Sequence, residues 1–333
     1  MVKELLKSVQ HGPKDDHGSY KHEDGGRISL LMVLKCFNTM FLIILFLFIR
    51  LSYTDDLIKW CDVVVPCGGD GTFLLAASRV RDANKPVIGF NSSPQKSVGR
   101  LCLPTWCSND VKGAIQALKE VPTLNASSKY RRQRTPPLVR HPTVHYMVIS
   151  IRLVNDDASL QVFIGESVTS RVSLLRLRID DGAWTHTKSS GLCVTTGTGS
   201  TSWHFSINCL RTHSVLELMK ILNEDFGVSL DTRVEKAREV AERYNEKLMF
   251  APDSDQLAYS VREYITFEEW PAPRGLRVRD RASAVRVKSH CNDAALVVDG
   301  SVSFPFNDGT EAQLEIHPED SLMTVQMDDD LPN

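Results

Sequence analysis

The 333-residue sequence lacks an excess of either charge, with 39 Lys and Arg against 41 Asp and Glu. No basic tail or stripe is present to track a phosphate backbone, so a nucleic-acid binder is not the expectation. The one basic run, Lys129-Tyr130-Arg131-Arg132-Gln133-Arg134, is short and precedes Pro136-Pro137. It reads as a solvated loop, with contact to substrate phosphates as the other option. Paired cysteines are missing as well. The eight cysteines, at 36, 61, 67, 102, 107, 193, 209 and 291, form no CxxC. That argues against a zinc site and a disulfide framework, and fits reduced thiols inside a cell. His186, His204 and His213 have no metal-ligand spacing and read as surface or satisfied histidines. No repeat of fixed period occurs.

What is present is a bare turn. Cys67-Gly68-Gly69-Asp70-Gly71-Thr72 follows the apolar strand Asp62-Val63-Val64-Val65 and leads into a helical run from Thr72 to Val80. Three glycines in four positions let backbone N–H groups approach an anion, and the helix N-terminus behind them adds partial positive charge. No Lys follows Gly71, so the turn is not a Walker A loop, and it is not a GxGxxG dinucleotide turn either. Asp70 inside this phosphate-friendly cradle repels phosphate unless a metal or a proton-transfer role offsets it. The arrangement therefore points to phosphoryl transfer, with a plain strand-to-helix turn as the bland reading.

The length suggests about two domains. Residues 1–27 are polar and read as loosely packed. Residues 28–51 are mostly apolar, interrupted by Lys35 and Asn38. A buried strand or helix, a membrane anchor, or a segment foreign to the domain all remain open for that stretch. Its place behind a polar leader does not fit a signal peptide. Thr54 caps a short helix, Asp55 to Trp60, and Val87–Asn91 reads as the strand after the glycine turn. That makes a βαβ unit with the turn at a strand's carboxyl end, where open α/β sheets place ligands. Asn109 is the expected cap of a helix through Lys119.

After Pro136-Pro137 and His141-Pro142 the pattern turns β-rich, at His145–Leu153, Leu160–Gly165 and Ser173–Ile179. Asp180-Asp181-Gly182 is a hairpin signal. Helices are expected at Ser214–Leu222 and Arg233–Leu248, the latter with Val234, Ala237, Val240, Ala241 and Tyr244 on one face. Strands return at Ser283–Lys288 and Ala294–Val298. A second cluster, Ser189 to Trp203, runs from a strand into a loop dense in hydroxyls and glycine, suited to a polar ligand. A hydroxyl-capped helix start is its alternative reading.

These blocks, in this order, resemble the NAD kinase family, in its animal mitochondrial type. The resemblance rests on Cys67–Val80, on Pro86–Pro104, on VFIGES at 162–167, on DDGAW at 180–184, on KSSGLCVTTGTGSTSWHFSIN at 188–208 and on VDGSVSFPFNDG at 298–309. It runs with gaps from Tyr53 to Met327 and is weak over 1–52. It implies an α/β N-terminal domain (53–142) with a Rossmann-like βαβ core. A mainly β C-terminal domain with inserted helices (143–327) follows, its end a candidate to return to the first domain, and then a tail (328–333).

It implies that ATP's γ-phosphoryl passes to the 2′-hydroxyl of the adenosine ribose of NAD, with Mg2+, in a mitochondrial homodimer. By position, Asp70 is then the acid that orients or deprotonates the hydroxyl. Gly68, Gly69, Gly71, Thr72 and Asn91 serve ATP and its phosphates, and no protein metal ligand is expected. Thr198, Thr201, Ser202, Trp203, Ser206, Leu160, Gln161 and Ser190 line the NAD pocket. Three departures stand out. Leu160 and Gln161 occupy the place of an Asn-Glu pair, Trp203 replaces a tyrosine, and Ser190 stands where many relatives have Asp. Two alternatives follow: a lipid kinase of the kind that shares the GGDGT turn, supported by residues 28–51, which leave membrane contact open, and a catalytically weakened relative.

Overall fold

The computed structural model describes residues 30–35, 44–49, 55–80, 82, 85–96, 99–119, 143–146, 149–151, 158–159, 161–265, 276–300, 302–317, 320–325 and 327. The chain divides into two units, residues 1–80, 85–143 and 324–333 in the first and 81–84 and 144–323 in the second. The basic run at 129–134, the chain before residue 30, and Leu160 lie outside the described residues.

In the first unit the apolar segment forms two strands, β1 (Leu30–Lys35) and β2 (Ile44–Ile49), paired antiparallel from Leu30–Ile49 to Lys35–Ile44. Branched and aromatic side chains favour this extended form. Within residues 28–51, the described residues 30–35 and 44–49 take the strand form rather than the helix. No helix among the described residues is long and apolar enough to cross a membrane. Helix α1 (Asp55–Trp60) carries two acids at its positive end. Its last carbonyls are met from outside: Lys85 donates its ammonium to the carbonyls of Ile58 and Cys61. Strand β3 (Val63–Cys67) is buried at every position and joins β1 antiparallel, giving the order β2-β1-β3.

The βαβ reading holds on the other side of β3. Residues 87–90 run parallel to it, bridged at Val64–Val87 and Cys67–Phe90. Between them lies α2 (Asp70–Ala77), which opens at Asp70 instead of Thr72. An acid in a helix's first turn is favoured by the helix dipole, so the turn winds two residues earlier than the glycines suggest. Helices α3 (Thr105–Asn109) and α4 (Val111–Lys119) follow. Asp110, not Asn109, caps α4: its carboxylate accepts the Gly113 N–H at 3.1 Å. The core here gathers Val63, Val65, Ile88, Leu103, Trp106 and Ala114, together with Val325 and Met327 from the chain's end.

The second unit is a pair of six-stranded antiparallel sheets. Its strands are β4 (Thr143–Tyr146), β5 (Ile149–Ile151), β6 (Ala158–Ser159), β7 (Gln161–Glu166), β8 (Ser173–Ile179), β9 (Thr185–Ser189) and β10 (Gly191–Thr195). After a helical insertion come β11 (Leu257–Arg262), β12 (Arg279–Ala282), β13 (Ala284–Ser289), β14 (Ala294–Val298), β15 (Val302–Pro305), β16 (Glu311–Ile316) and β17 (Leu322–Val325). Twelve of these strands make the two sheets, in the orders β12-β11-β10-β7-β14-β15 and β6-β5-β16-β13-β8-β9, while β4 and β17, each divided between the two units, pair with each other. Alternating residues from both share one core: Val162, Ile164 and Leu296 from one, Leu175, Val285 and Leu314 from the other. The β8–β9 turn falls where Asp180-Asp181-Gly182 predicts it, with Asp180 at φ 47° and the Gly182 N–H on the Ile179 carbonyl at 2.9 Å.

The insertion contains a 3-10 turn (Thr198–Thr201), α5 (Trp203–Asn208), α6 (Thr212–Phe226) and α7 (Val234–Glu246). Of the predicted apolar face of α7, only Ala237 and Ala241 are buried, packed with Val215 and Met219 of α6. Val234 and Val240 are exposed. Close helix packing selects the small alanines, so the larger valines fall to the flank.

Candidate active site

The glycine turn is shaped by backbone approach. The Gly68 N–H donates to the Phe90 carbonyl at 2.9 Å, and its carbonyl accepts the Ser92 N–H at 3.4 Å. A Cβ on Gly68 would lie 2.2 Å from the Thr72 hydroxyl oxygen, so no other residue fits beside Thr72. At Gly71 a Cβ meets nothing within 4 Å, which leaves its face open to a ligand. Gly69 is the N-cap of α2 and makes no side-chain cap to the N–H groups of Asp70 and Gly71.

Asp70 is held from the far side. Its Oδ1 accepts the Leu101 N–H at 2.9 Å and its Oδ2 the Arg100 N–H at 3.2 Å. The preceding Gly99 has φ 61°, and a Cβ there would sit 2.4 Å from Nδ2 of Asn91. Asn91 itself is buried, and its Oδ1 takes the Ser93 N–H at 3.0 Å. Asp70, Gly68, Gly71, Thr72 and Asn91 thus form one continuous cluster with a backbone clamp. Arg100 and Leu101 were not legible as part of it, because they act through peptide N–H groups that carry no side-chain signature. Cys67 and Cys102 lie beside the turn, but burial pushes both thiols up to about 12, so neither is a thiolate nucleophile near neutral pH. All described cysteines are free.

In the second unit, β10 is buried throughout and delivers the hydroxyl-rich loop. Gly197 is compulsory there, since a Cβ would approach the Ala251 carbonyl oxygen to 1.9 Å. Gln161 organises the loop. Its Nε2 donates to the Cys193 sulfur at 3.0 Å, while its Oε1 accepts the Ser202 hydroxyl and the Trp203 N–H, the latter at 3.4 Å. Its backbone N–H is fixed by the Asp299 carboxylate at 2.9 Å. Trp203 is 43% exposed and stacks on Phe163 with ring centroids 4.5 Å apart. The Ser206 hydroxyl donates to the Ser202 carbonyl at 3.2 Å and that of Thr201 to the Thr198 carbonyl at 3.3 Å. Thr198 is only 7% exposed, and its hydroxyl has no hydrogen-bond partner. An orphaned buried hydroxyl costs about 1–3 kcal/mol, a debt that a polar ligand can cancel.

Gln161, Ser202, Trp203, Ser206, Thr201 and Thr198 therefore do come together. Ser190 stands apart from them, donating its hydroxyl to the carboxylate of Glu263. Phe163 and Asp299 escaped the sequence reading, although alternation along VFIGES and the Asp-Gly turn at 299–300 were signals of where to look.

Against this geometry stand the comparisons. The family model for the ATP-NAD kinase N-terminal domain matches residues 8–96, a span that begins inside the region where the sequence resembles the family weakly. "NAD kinase 2, mitochondrial" of Homo sapiens is 36% identical over 311 residues, covering 84% of this chain and 68% of the relative. The chain belongs to the NAD kinase family. The Xenopus tropicalis protein of the same name is 35% identical over 322 residues, covering 84% of this chain and 74% of the relative. Among solved structures, an NAD kinase from Archaeoglobus fulgidus in complex with ATP aligns with a TM-score of 0.51 and 17% identity. It covers 81% of this chain and 80% of that one, and the likeness concerns the fold. The NAD kinase reading, rather than the lipid-kinase alternative, is the one these relatives carry.

Proposed function

We propose that this chain phosphorylates NAD to NADP, with ATP as donor. The observation that carries the reading is the Asp70 carboxylate, tied by two backbone N–H groups at the mouth of a side-chain-free turn. Each carboxylate oxygen has a second lone pair, so the clamp leaves Asp70 able to accept one more hydrogen bond. In the proposed step the 2′-oxygen of the adenosine ribose attacks the γ-phosphorus, and the bond to the β,γ-bridging oxygen breaks. ADP departs, and the hydroxyl proton passes to Asp70. The N–H groups of Gly69, Asp70 and Gly71 hold the donor phosphates, and Asn91 braces the clamp.

The acceptor dinucleotide takes the Gln161–Ser206 cluster, with its base on the exposed face of Trp203. Thr198, Thr201, Ser202 and Ser206 supply hydroxyls. Gln161 takes the place of the family's Glu as organiser of the loop.

Magnesium neutralises the triphosphate when bound. Among the described residues no three His, Cys, Asp or Glu gather to hold a metal. Asp70 is the carboxylate of the glycine turn that would face such an ion. A homodimer and a mitochondrial home belong to the same proposal. Sedimentation of the purified chain tests the first, and imaging of a tagged full-length chain the second.

The activity test is direct. Chain incubated with ATP, magnesium and NAD is expected to form NADP, and Asp70→Asn to lose about 100- to 10,000-fold of that rate with unchanged thermal unfolding. No NADP from the folded native chain would refute the reading and favour the weakened-relative alternative.

A further inference from the structure

We propose that the outer face of the sheet carrying β8 binds a phosphomonoester dianion, at a site centred on Arg176. The site uses none of the residues given to the kinase reaction and does not depend on that reading. Leu175 and Leu177 of β8 and Val285 and Val287 of β13 turn into the shared core. Alternation along each strand therefore puts Arg176, Arg178, Arg286 and Lys288 on the opposite face. Register then sets cation against cation. Arg176 stands opposite Lys288 on one side and His186 on the other, and Arg178 stands opposite Arg286. Like charges placed directly opposite destabilise a sheet, and an anion held between them relieves the repulsion.

Three of these cations have some relief within the protein. Lys288 donates to the Glu311 carboxylate at 2.7 Å, Arg286 donates to the Gln313 side-chain carbonyl at 3.0 Å, and Arg178 has the exposed Asp181 carboxylate 3.9 Å away. Arg176 differs. Its Nε is sealed from solvent with no hydrogen-bond partner, and among the described residues its guanidinium makes no ion pair. The guanidinium lies over the Trp184 ring, 5.5 Å from the centroid, which holds it in place from one side. His290 stands beside His186 with ring centroids 5.9 Å apart, tethered to Asp308 at 3.0 Å. Partial burial first, then the charges of Arg176 and His290, hold the His186 pKa below its ordinary value, so these groups are within electrostatic reach of one another.

The chemistry of the cluster selects the ligand. A guanidinium and an ammonium repel a metal ion and attract an anion. A phosphomonoester carries nearly two negative charges near neutrality and three acceptor oxygens, one each for Arg176, Lys288 and His186. A carboxylate has only two oxygens for these three donors. Neighbouring strands lie about 4.8 Å apart, so the three residues stand within about 10 Å and their long side chains reach a common point. Free phosphate has this chemistry, and so has the 2′-phosphate of a nucleotide, the group that the proposed reaction makes.

Titration of the full chain, followed by the imidazole NMR signals of His186 and His290, tests the site. The probes, at constant ionic strength, are inorganic phosphate, adenosine 2′-monophosphate, adenosine, and dimethyl phosphate, a diester with a single charge. The variants are Arg176→Gln and Lys288→Gln, with Arg238→Gln, exposed on α7, as the control for loss of one charge. Phosphate and adenosine 2′-monophosphate are expected to shift both signals saturably, and adenosine and dimethyl phosphate to leave them in place. Affinity should fall at least tenfold in Arg176→Gln and in Lys288→Gln and stay unchanged in Arg238→Gln. Equal affinity for the two monoesters supports the site with free phosphate as its source, and tighter binding of the nucleotide supports it with the 2′-phosphate as source. Arg176→Gln removes a like-charge contact, so its unfolding temperature is expected at or above the native one, which separates lost binding from lost fold. The proposal is overturned by a native chain without saturable shifts, by unchanged affinity in Arg176→Gln, by equal weakening in all three variants, or by dimethyl phosphate binding as well as phosphate. Phosphatidylserine vesicles that move both signals where phosphate does not would overturn it in favour of a membrane surface. Failure of the kinase reading is seen separately, as native chain that makes no NADP.

Discussion

Asp70 takes its orientation from Arg100 and Leu101, thirty and thirty-one residues further along the chain. The clamp depends on Gly99, whose φ of 61° disfavours any side chain and whose Cβ position is filled by Asn91. Gly99→Ala is expected to cost about 1–2 kcal/mol of stability and to lower kcat more than it raises KM for NAD, since the carboxylate loses its aim. Equal effects on both constants would count against the clamp.

Gln161 offers a contrasting case. Gln161→Ala removes the acceptor for Ser202 and the Trp203 N–H, and an expected loss of about 1–3 kcal/mol per orphaned group raises KM for NAD at least tenfold. Gln161→Glu keeps both acceptor bonds and is expected to stay within about threefold of the native constant.

His204 carries a pH signature. Burial first, then the charges of Arg279 and Arg281, hold its pKa down at about 4. Its Nδ1 faces the Ser260 hydroxyl at 3.1 Å. Between about 6.5 and 4 the unfolded chain binds this proton and the folded chain does not. The neutral histidine's contribution is therefore complete above about pH 6.5 and is lost as pH falls, by up to about 1.4 kcal/mol per pH unit. Chemical denaturation of native chain and of His204→Gln across that window measures the slope, which should flatten in the variant.

At the scale of elements, local signals placed most of the strands and turns. Val63–Cys67, Ser173–Ile179 and Ala294–Val298 are strands as their branched residues demand, and the Asp-Gly turn at 299–300 has both residues at positive φ. Boundaries were less legible. The start of α2 and the cap of α4 turn on which carboxylate reaches which N–H, a matter of one or two residues that composition does not resolve. The buried side of α7 was misjudged because helix packing, not hydrophobicity alone, decided it. The α6–α7 pair has its own small core, separate from that of the sheets. Met219→Ala is expected to destabilise it by about 2–5 kcal/mol. Hydrogen exchange should quicken across residues 212–246 while β7 and β10 keep their protection, and uniform quickening would show instead that the pair is part of the main core.

For the whole molecule, charge balance has a consequence of its own. With a formal net charge of -2 and an isoelectric point near 6.6, the chain has little electrostatic repulsion between copies close to neutrality. Light scattering is expected to show strongest self-association at pH 6–7 and relief on either side, with added salt having little effect on the flanks' monodispersity. A solubility minimum far from that range would point to an uncounted charge, such as a modification.

The order of the blocks was enough to indicate the family, because turn chemistry and strand patterning are written in adjacent residues. The sequence by itself therefore determined the bare turn around Asp70, the hydroxyl loop after β10 and the mixed architecture that carries them. Only the tertiary structure decided which distant groups complete each cluster. Peptide N–H groups of Arg100 and Leu101, the ring of Phe163 and the carboxylate of Asp299 belong to segments joined by sheet pairing and core packing. Those contacts depend on how separated stretches meet in space, which spacing along one chain does not encode.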